Sequence, residues 1–515
     1  MAETGFRKFI ITFTVITASL LELIDTTIVN VALPDIMGNL GATLAEVSWV
    51  VTGYVVANVI VVPMTGWFSA RFGRKHYFAA SILIFVGASA LCGQATGIWE
   101  LVIFRAIQGV GGGALLATSQ AILVETYPPE ELGLANALFG LGAVVGPTIG
   151  PTLGGWLTDH FSWPWVFYVN VPVGLLAFFL TMIYIDNPDY EHKVKKVDWW
   201  GIGLLITGVG ALQVVLERGE AEDWFSTNYI IVLTFVAILG LIGFVWRELT
   251  TENPIVDLKV LKNRNLALGS FFIFILGLGL YGSVFVFPVF TQNLLGLSAL
   301  DTGLILLPGG IATMFMMPII GFSLKKDVPP QYIAMAGMII FFIFSVMLSH
   351  ETLASGMHDF FWPLILRGIG LGCLFVPLTT IALSGLRGKD IAQGSGLTNM
   401  IRQLGGSFGV ALIATFIDRR NAYHRSVLVE HISKYETVAR QHIQQFTHFF
   451  MASGSSAMEA QSKAYKALDL TVMKQMYLMS YTDAFYIVGV FFLLCIPLLF
   501  LTKHNKSDSS PTPIH

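Results

Sequence analysis

Two stretches decide how this chain folds: LVIFRAIQGVGGGALL, Leu101–Leu116, and PLILRGIGLGCLFVPL, Pro363–Leu378. Each is an apolar run with a single arginine, Arg105 or Arg367, followed by closely spaced glycines. A second pair shares the same relation. PMTGWFSARFGRK, Pro63–Lys75, and PIIGFSLKKD, Pro318–Asp327, both run from Pro-x-x-Gly into basic residues. Between the members of each pair lie the same number of apolar runs, which makes the chain an internal repeat.

Those runs are each about 20 residues long, the length that crosses a bilayer as a helix. The 515-residue chain is 54% hydrophobic and 12% charged, where soluble domains carry about 25% charged residues. Its mean hydropathy is +0.69. The reading is an all-α polytopic membrane protein with fourteen spans, at 9–33, 47–68, 77–95, 99–122, 134–157, 165–185, 199–216, 229–247, 266–290, 300–322, 331–349, 360–384, 396–417 and 482–502. The repeat offset is eight spans, where two tandem six-helix units would give six. Two helices, spans seven and eight, are therefore read as inserted between the halves. The expected organisation is a six-helix bundle over 1–198, a linker pair over 199–250 and a second six-helix bundle over 251–515.

Charge sets the expected orientation. With the N-terminus in the cytoplasm, Arg71, Arg74, Lys75, Lys193, Lys195, Lys196, Arg387, Lys503 and Lys506 fall on the cytoplasmic side, while the short external loops hold only Arg218. Both termini are then inside. The opening MAETGFRKF resembles a signal sequence, but no small-residue cleavage site follows, so it reads as the start of an uncleaved first helix. Net charge is −3 and no basic tract points to nucleic acid. The three cysteines, Cys92, Cys373 and Cys495, sit in apolar runs and read as buried small hydrophobes. The eleven histidines are scattered, and no spacing suggests a metal.

The first span contains LELIDTTIVNVALP, Leu21–Pro34, with Glu22 and Asp25 inside it. A charged carboxylate at mid-bilayer costs about 2.5–3.5 kcal/mol on insertion scales. Three residues apart, the two acids share a helical face and would titrate as a coupled pair. A desolvated acid that exchanges its proton at modest cost is what a proton-carrying site needs. Asp25 is the main candidate. Glu22 either shares the proton, stands as a fixed anion in a water-filled cavity, or hydrogen-bonds to a neighbouring helix. Arg105 either tunes a nearby carboxylate, snorkels to an interface or holds helices together; Arg367 and Arg402 have no evident partners.

In span five, GAVVGPTIGPTLGG sets Gly142, Gly146, Gly150 and Gly154 on one smooth face, and Pro147 and Pro151 should bend the helix. Dense packing against another helix is the plain reading of that face, and a bend at a close-packed seam is also where two halves could rock against each other. Three enzyme-like patterns are discounted: GGSFG at Gly405–Gly409, GLGLYG at Gly277–Gly282 and GVGGGA at Gly109–Ala114. None follows a strand, and the chemistry each implies needs one.

In these residues the chain resembles the fourteen-helix drug–proton antiporters of the major facilitator superfamily, EmrB/QacA type, along nearly its whole length. IDTTIVNVALP resembles their first-helix motif, whose acid matches Asp25. GWFSARFGRK resembles the superfamily's loop motif, matching Gly66, Arg71, Gly73, Arg74 and Lys75; FRAIQGVGGG resembles the fourth-helix motif whose arginine, linked to proton transfer, matches Arg105. The run at 142–155 resembles the fifth-helix motif typical of antiporters, and WPWVFYVNVPVG and ENPIVDLKVL resemble further family segments. Three departures stand out. Ala70 replaces the loop motif's usual Asp, the copy after span ten is worn, and span thirteen carries Arg402 with no acid before Asp418.

The resemblance implies a secondary transporter, not an enzyme, that exports hydrophobic or amphipathic compounds. Its energy source is the proton gradient and it needs no cofactor. Asp25, with or without Glu22, takes the proton, and Arg105 biases the switch between inward- and outward-facing states. The cavity should lie between the halves, lined by Asn30, Tyr54, Asn58, Gln120, Tyr281, Met314 and Met317 on span position alone. The long segment at about 418–481 is read as periplasmic and able to form amphipathic helices. By resemblance it docks an EmrA-like adaptor that leads to an outer-membrane channel, which implies a Gram-negative inner membrane and contact with membrane lipids. The rival is the same machine exporting one fatty acid, siderophore or metabolite. A membrane-embedded enzyme would need a clustered nucleophile, base or metal set, and a scaffold would gain nothing from Asp25.

Overall fold

The computed structural model describes residues 5–187, 197–326, 328–386, 389–430, 432 and 437–501. Lys193, Lys195, Lys196, Arg387, Lys503 and Lys506 of the charge pattern lie outside these residues. The described chain folds as helices α1 (Gly5–Leu40), α2 (Leu44–Phe72), α3 (Arg74–Cys92), α4 (Ile98–Thr126), α5 (Leu132–His160), α6 (Trp165–Tyr184), α7 (Trp199–Arg218) and α8 (Asn228–Thr250). The rest comprises α9 (Arg264–Val289), α10 (Ala299–Lys325), α11 (Pro330–Leu348), α12 (Phe361–Leu383), α13 (Lys389–Glu430), α14 (Thr437–Ala452) and α15 (Ala457–Leu499). Among the described residues, thirteen helices are long and apolar enough to cross a membrane, and α5, broken at Pro147 into parts inclined by 42°, makes a fourteenth. The amphipathic α14 is not one of them.

Local chemistry places the boundaries. Gly41 at φ +62° ends α1, and Thr43 with Glu46 forms a capping box at the start of α2. Asn263 accepts from the Asn265 and Leu266 amides to open α9, and Ser298 accepts from the Asp301 amide to open α10. Between α2 and α3 the chain turns at Gly73, φ +84°, where an added Cβ would press on Asn187.

The packing repeats at the offset of eight. Pairs α1–α5, α2–α4, α3–α4 and α3–α6 recur as α9–α13, α10–α12, α11–α12 and α11–α15. Helices α7 and α8 pack on each other, and α7 lies against α2 and α13. Outward on α8 stand Phe235, Leu239, Ile242 and Trp246, all exposed. Lipid is the solvent that such a face fits. The halves meet where α5 packs on α10 and α12, and where α2 and α4 pack on α13.

Two sequence expectations change. The glycine stripe of α5 faces α1 in its own bundle: a Cβ at Gly146 would sit 2.8 Å from Leu23, at Gly150 2.0 Å from Thr27 Oγ1, and at Gly154 2.6 Å from the Ile28 carbonyl. The seam with the other half uses a different face of α5, through Gly133, Gly140 and Thr152, against Leu324, Met317 and Gly303. The segment 418–481 is largely continuous with the last two spans. α13 runs on to Glu430 and α15 begins at Ala457, capped by Ser456 and Glu459. At 42 and 43 residues each is about 60 Å long, twice the roughly 30 Å of a hydrocarbon core. α13 and α15 are tied beyond the core by Arg420–Asp483 (2.5 Å), His424–Asp483 (2.8 Å) and Arg425–Asp469 (2.9 Å). Polar periodicity reads as loop in a hydropathy scan, although it suits a helix held by its neighbours.

Candidate functional site

Asp25 is completely buried inside the first bundle. Arg105 Nη1, from α4, donates to Asp25 Oδ2 at 2.5 Å. Gln108 Nε2, one turn further along α4, and Asn170 Nδ2, from α6, both donate to Asp25 Oδ1, at 2.9 and 2.8 Å. Both amides also donate to Ser89 Oγ on α3 at 3.1 Å. Ser89 Oγ in turn donates to the Phe167 carbonyl. Two helices thus donate to a carboxylate carried by a third, both of its oxygens are occupied, and α3 supports the two amides through Ser89.

Arg105 is equally enclosed. Its remaining polar contacts are Gln108 Oε1 at 2.8 Å and the Val50 carbonyl at 3.3 Å, and its guanidinium lies 4.1 Å from the centroid of Tyr54. A cation–π contact of this kind is worth more when desolvated, about 2 kcal/mol. Chemically, this is an ion pair with both partners buried, so removing either charge leaves the other uncompensated. Removing one partner of a buried pair costs about 3–5 kcal/mol.

Glu22, one turn earlier, points to a different set of groups. Asn58 Nδ2 donates to Glu22 Oε1 at 3.0 Å, and among the described residues Oε2 has no hydrogen-bond partner. Asn58 Oδ1 in turn accepts from Gln403 Nε2 of α13 at 2.7 Å, so the chain of contacts crosses between the halves. Beside it, Arg402 donates to Asn399 Oδ1 at 2.8 Å, and Asn399 Nδ2 donates to Gln120 Oε1 of α4 at 2.5 Å. Arg402 Nη1 is left over, and its charge acts on Glu22 and on the Tyr281 phenol. Two acids on one helix therefore serve two places: Asp25 the interior of the first bundle, Glu22 the seam between bundles.

Of the sequence candidates for a cavity, Tyr54, Asn58, Gln120 and Tyr281 belong to this connected network. Met317 is buried against Gly140, while Asn30 and Met314 are exposed and stand apart from it. Among the motif residues, Arg74 forks onto Glu125 of α4 at 2.5 and 3.0 Å, and Arg71 lies over Trp67 and Phe72. A Cβ at Gly66 would meet Gln393 of α13 at 3.0 Å, so this position is a point of close approach between the halves. At the same end of the bundle Glu131 accepts from Lys8 of α1 and Lys325 of α10, both at 2.8 Å. These two pairs hold Glu131 at about 2, far below the ordinary carboxylate value, with Lys325 the larger cause.

Sequence reading missed Ser89, Gln108, Asn170, Asn399, Gln403 and Glu131. Gln108 carried a signal, since it follows Arg105 at helical spacing in the same motif. Asn170, a lone amide in an apolar run, carried a weaker one.

A two-bundle helical membrane protein, with buried charge at the heart of one bundle and polar contacts across the seam, defines a multi-pass transporter. Comparison with known proteins agrees. Residues 15–410 match the family model of the Major Facilitator Superfamily. The multidrug export protein EmrB of Haemophilus influenzae is 35% identical over 97% of this chain and 96% of its own length. EmrB of Escherichia coli is 34% identical over the same shares. The fatty acid resistance protein FarB of Neisseria gonorrhoeae is 33% identical over 94% of each chain. The crystal structure of the human organic anion transporter MFSD10 superposes with a TM-score of 0.60 at 13% identity, covering 96% of this chain and 99% of that one, which is a likeness of fold. The chain belongs to the Major Facilitator Superfamily, in the branch of the EmrB multidrug export proteins.

Proposed function

We propose that this transporter exports hydrophobic and amphipathic compounds across a bacterial inner membrane in exchange for protons. The observation that carries the reading is the buried Asp25–Arg105 pair, with Gln108 and Asn170 on the second carboxylate oxygen. A proton arriving at Asp25 cancels its charge and leaves Arg105 unbalanced, so the protonated and ionised forms favour different helix arrangements. The Glu22 network, which joins Asn58 to Gln403, sits where such a rearrangement would be felt by the other bundle. The full-length likeness to EmrB proteins supports several unrelated substrates rather than one. The likeness to FarB keeps a fatty acid in view as one of them.

The rest of the reading follows from it. Both termini are cytoplasmic, 1–198 and 251–515 work as the moving bundles, and the proton gradient is the energy source, with no cofactor. The projecting helices α13, α14 and α15 form the docking face for a periplasmic adaptor that leads to an outer-membrane channel. The test is reconstitution in liposomes with an imposed pH gradient and a fluorescent amphipathic substrate. Wild type should accumulate it against its gradient. Asp25→Asn should bind the substrate but lose gradient-driven movement. Gradient-driven transport by the variant would place the coupling proton elsewhere and sink the proposal.

A further inference from the structure

The packing repeat makes α9 the counterpart of α1 and α12 the counterpart of α4. In the first bundle the arginine of α4 meets an acid on α1. In the second, Arg367 of α12 meets Ser283 of α9 instead: Arg367 Nε donates to Ser283 Oγ at 3.1 Å. Ser283 Oγ itself donates to the Leu280 carbonyl. Arg367 is 4% exposed, and among the described residues its buried terminal Nη2 has no hydrogen-bond partner. Among the described residues no carboxylate pairs with it.

The other buried arginines of the spanning helices are compensated. Arg74 has Glu125, Arg105 has Asp25, Arg218 has Glu222, and Arg402 feels Glu22 across the seam. Among the described residues Arg367 is the buried guanidinium whose counter-charge the chain does not supply. A desolvated cation without a partner is among the most costly groups a membrane protein holds. A guanidinium held at Nε by a serine still offers its terminal nitrogens as the fork that suits carboxylate, sulfonate or phosphate.

We infer that Arg367, oriented by Ser283, is an anion-binding subsite in the second bundle that takes the acidic head of an amphipathic monoanion. The inference rests on the export reading and narrows it to a substrate class, amphiphiles with an anionic head. The anion supplies the charge that Asp25 supplies in the first bundle, so the loaded subsite is neutral, as that pair is. The same chemistry can come from a free amphiphile or from the headgroup of an anionic lipid.

Three probes with one tail separate charge from apolar fit: pyrenebutanoate, pyrenebutanamide and a pyrenebutyl-trimethylammonium salt. Binding is measured by fluorescence to the full-length protein in phosphatidylcholine nanodiscs. Arg367→Gln should weaken pyrenebutanoate by about tenfold to a hundredfold, the size of lost charge-assisted hydrogen bonds. Arg367→Lys should restore part of the binding. Ser283→Asp is the decisive variant, because it keeps the arginine and hands it the acid of the first bundle. It should also abolish anion binding without loss of folded protein. The amide and the ammonium probe should change little in all three.

Pyrenebutanoate binding that survives both Arg367→Gln and Ser283→Asp overturns the inference, as does an equal loss for all three probes. Adding phosphatidylglycerol to the wild-type nanodiscs identifies the source: loss of pyrenebutanoate binding marks a lipid headgroup, and unchanged binding marks the free amphiphile. The export reading is read separately, from pH-driven uptake of the same probes into inverted vesicles. If the amide and ammonium probes move while pyrenebutanoate binding ignores Arg367, only the subsite fails. If no probe moves in any protein, the export reading fails, whatever binding shows.

Discussion

Charge removal at the Asp25–Arg105 pair should be asymmetric. In Asp25→Asn the guanidinium keeps Gln108 Oε1, the Val50 carbonyl and the Tyr54 face, but it meets an amide where a carboxylate oxygen lay at 2.5 Å. A guanidinium does not shed its charge, so the full penalty of about 3–5 kcal/mol for a broken buried pair applies. In Arg105→Gln the carboxylate keeps Gln108 and Asn170 as donors, and it can become neutral by taking a proton. That variant should lose less, about 1–3 kcal/mol, the cost of unmet hydrogen bonds. The double variant removes both charges, and its cost should fall below the sum of the singles by about 2 kcal/mol or more, as expected for contacting groups. Equilibrium unfolding in mixed micelles measures all three. If Asp25→Asn costs no more than Arg105→Gln, or if the double variant equals the sum, the pair is not the electrostatic unit described above.

Other consequences are simpler to test. The Lys325 and Lys8 pairs hold Glu131 below the ordinary carboxylate value of 4.5, at about 2. The stabilisation they give is therefore complete above about 4.5 and lost as pH falls toward 2; the distance between spin labels placed beside Glu131 and beside Lys325 should lengthen over that window, and Glu131→Gln should lengthen it at neutral pH. An unchanged distance in wild type would refute this contact between the halves. Gly154→Ala should reduce folded yield far more than Gly142→Ala, because the new Cβ lies 2.6 Å from the Ile28 backbone carbonyl in one case and 3.8 Å from Leu20 in the other; equal yields would show that α1 and α5 separate easily. Gln403→Leu should strand the carbonyl oxygen of Asn58 and reduce transport with little change in fold, measured as uptake per folded molecule; unchanged transport would exclude the seam contact from the cycle.

How legible the site was differs from residue to residue. Asp25 and Arg105 stood out because a charge in an apolar run is costly wherever it ends up, and that cost is a local property. Arg402 stood out for the same reason, yet its acid lies on another helix 380 positions earlier. The glycine stripe was visible as spacing, but which neighbour it admits was not. Gln108 and Asn170 are uncharged and barely disturb hydropathy, so nothing in composition separated them from amides that merely cap a turn.

By itself the sequence determined the membrane class, the fourteen spans, the offset of eight and the two charged residues at the centre of the first bundle. Bilayer solvation acts on each segment separately and demands about 20 apolar residues closed by internal hydrogen bonds. Tertiary structure decided the rest: that Asp25 turns inward to Arg105 while Glu22 turns to the seam, that the α5 glycines receive α1, that α13 and α15 continue far past their apolar cores, and that Arg367 meets a serine. Those outcomes depend on the rotation and depth at which one helix packs on another. Side-chain packing across the whole bundle sets both, and no single segment encodes them.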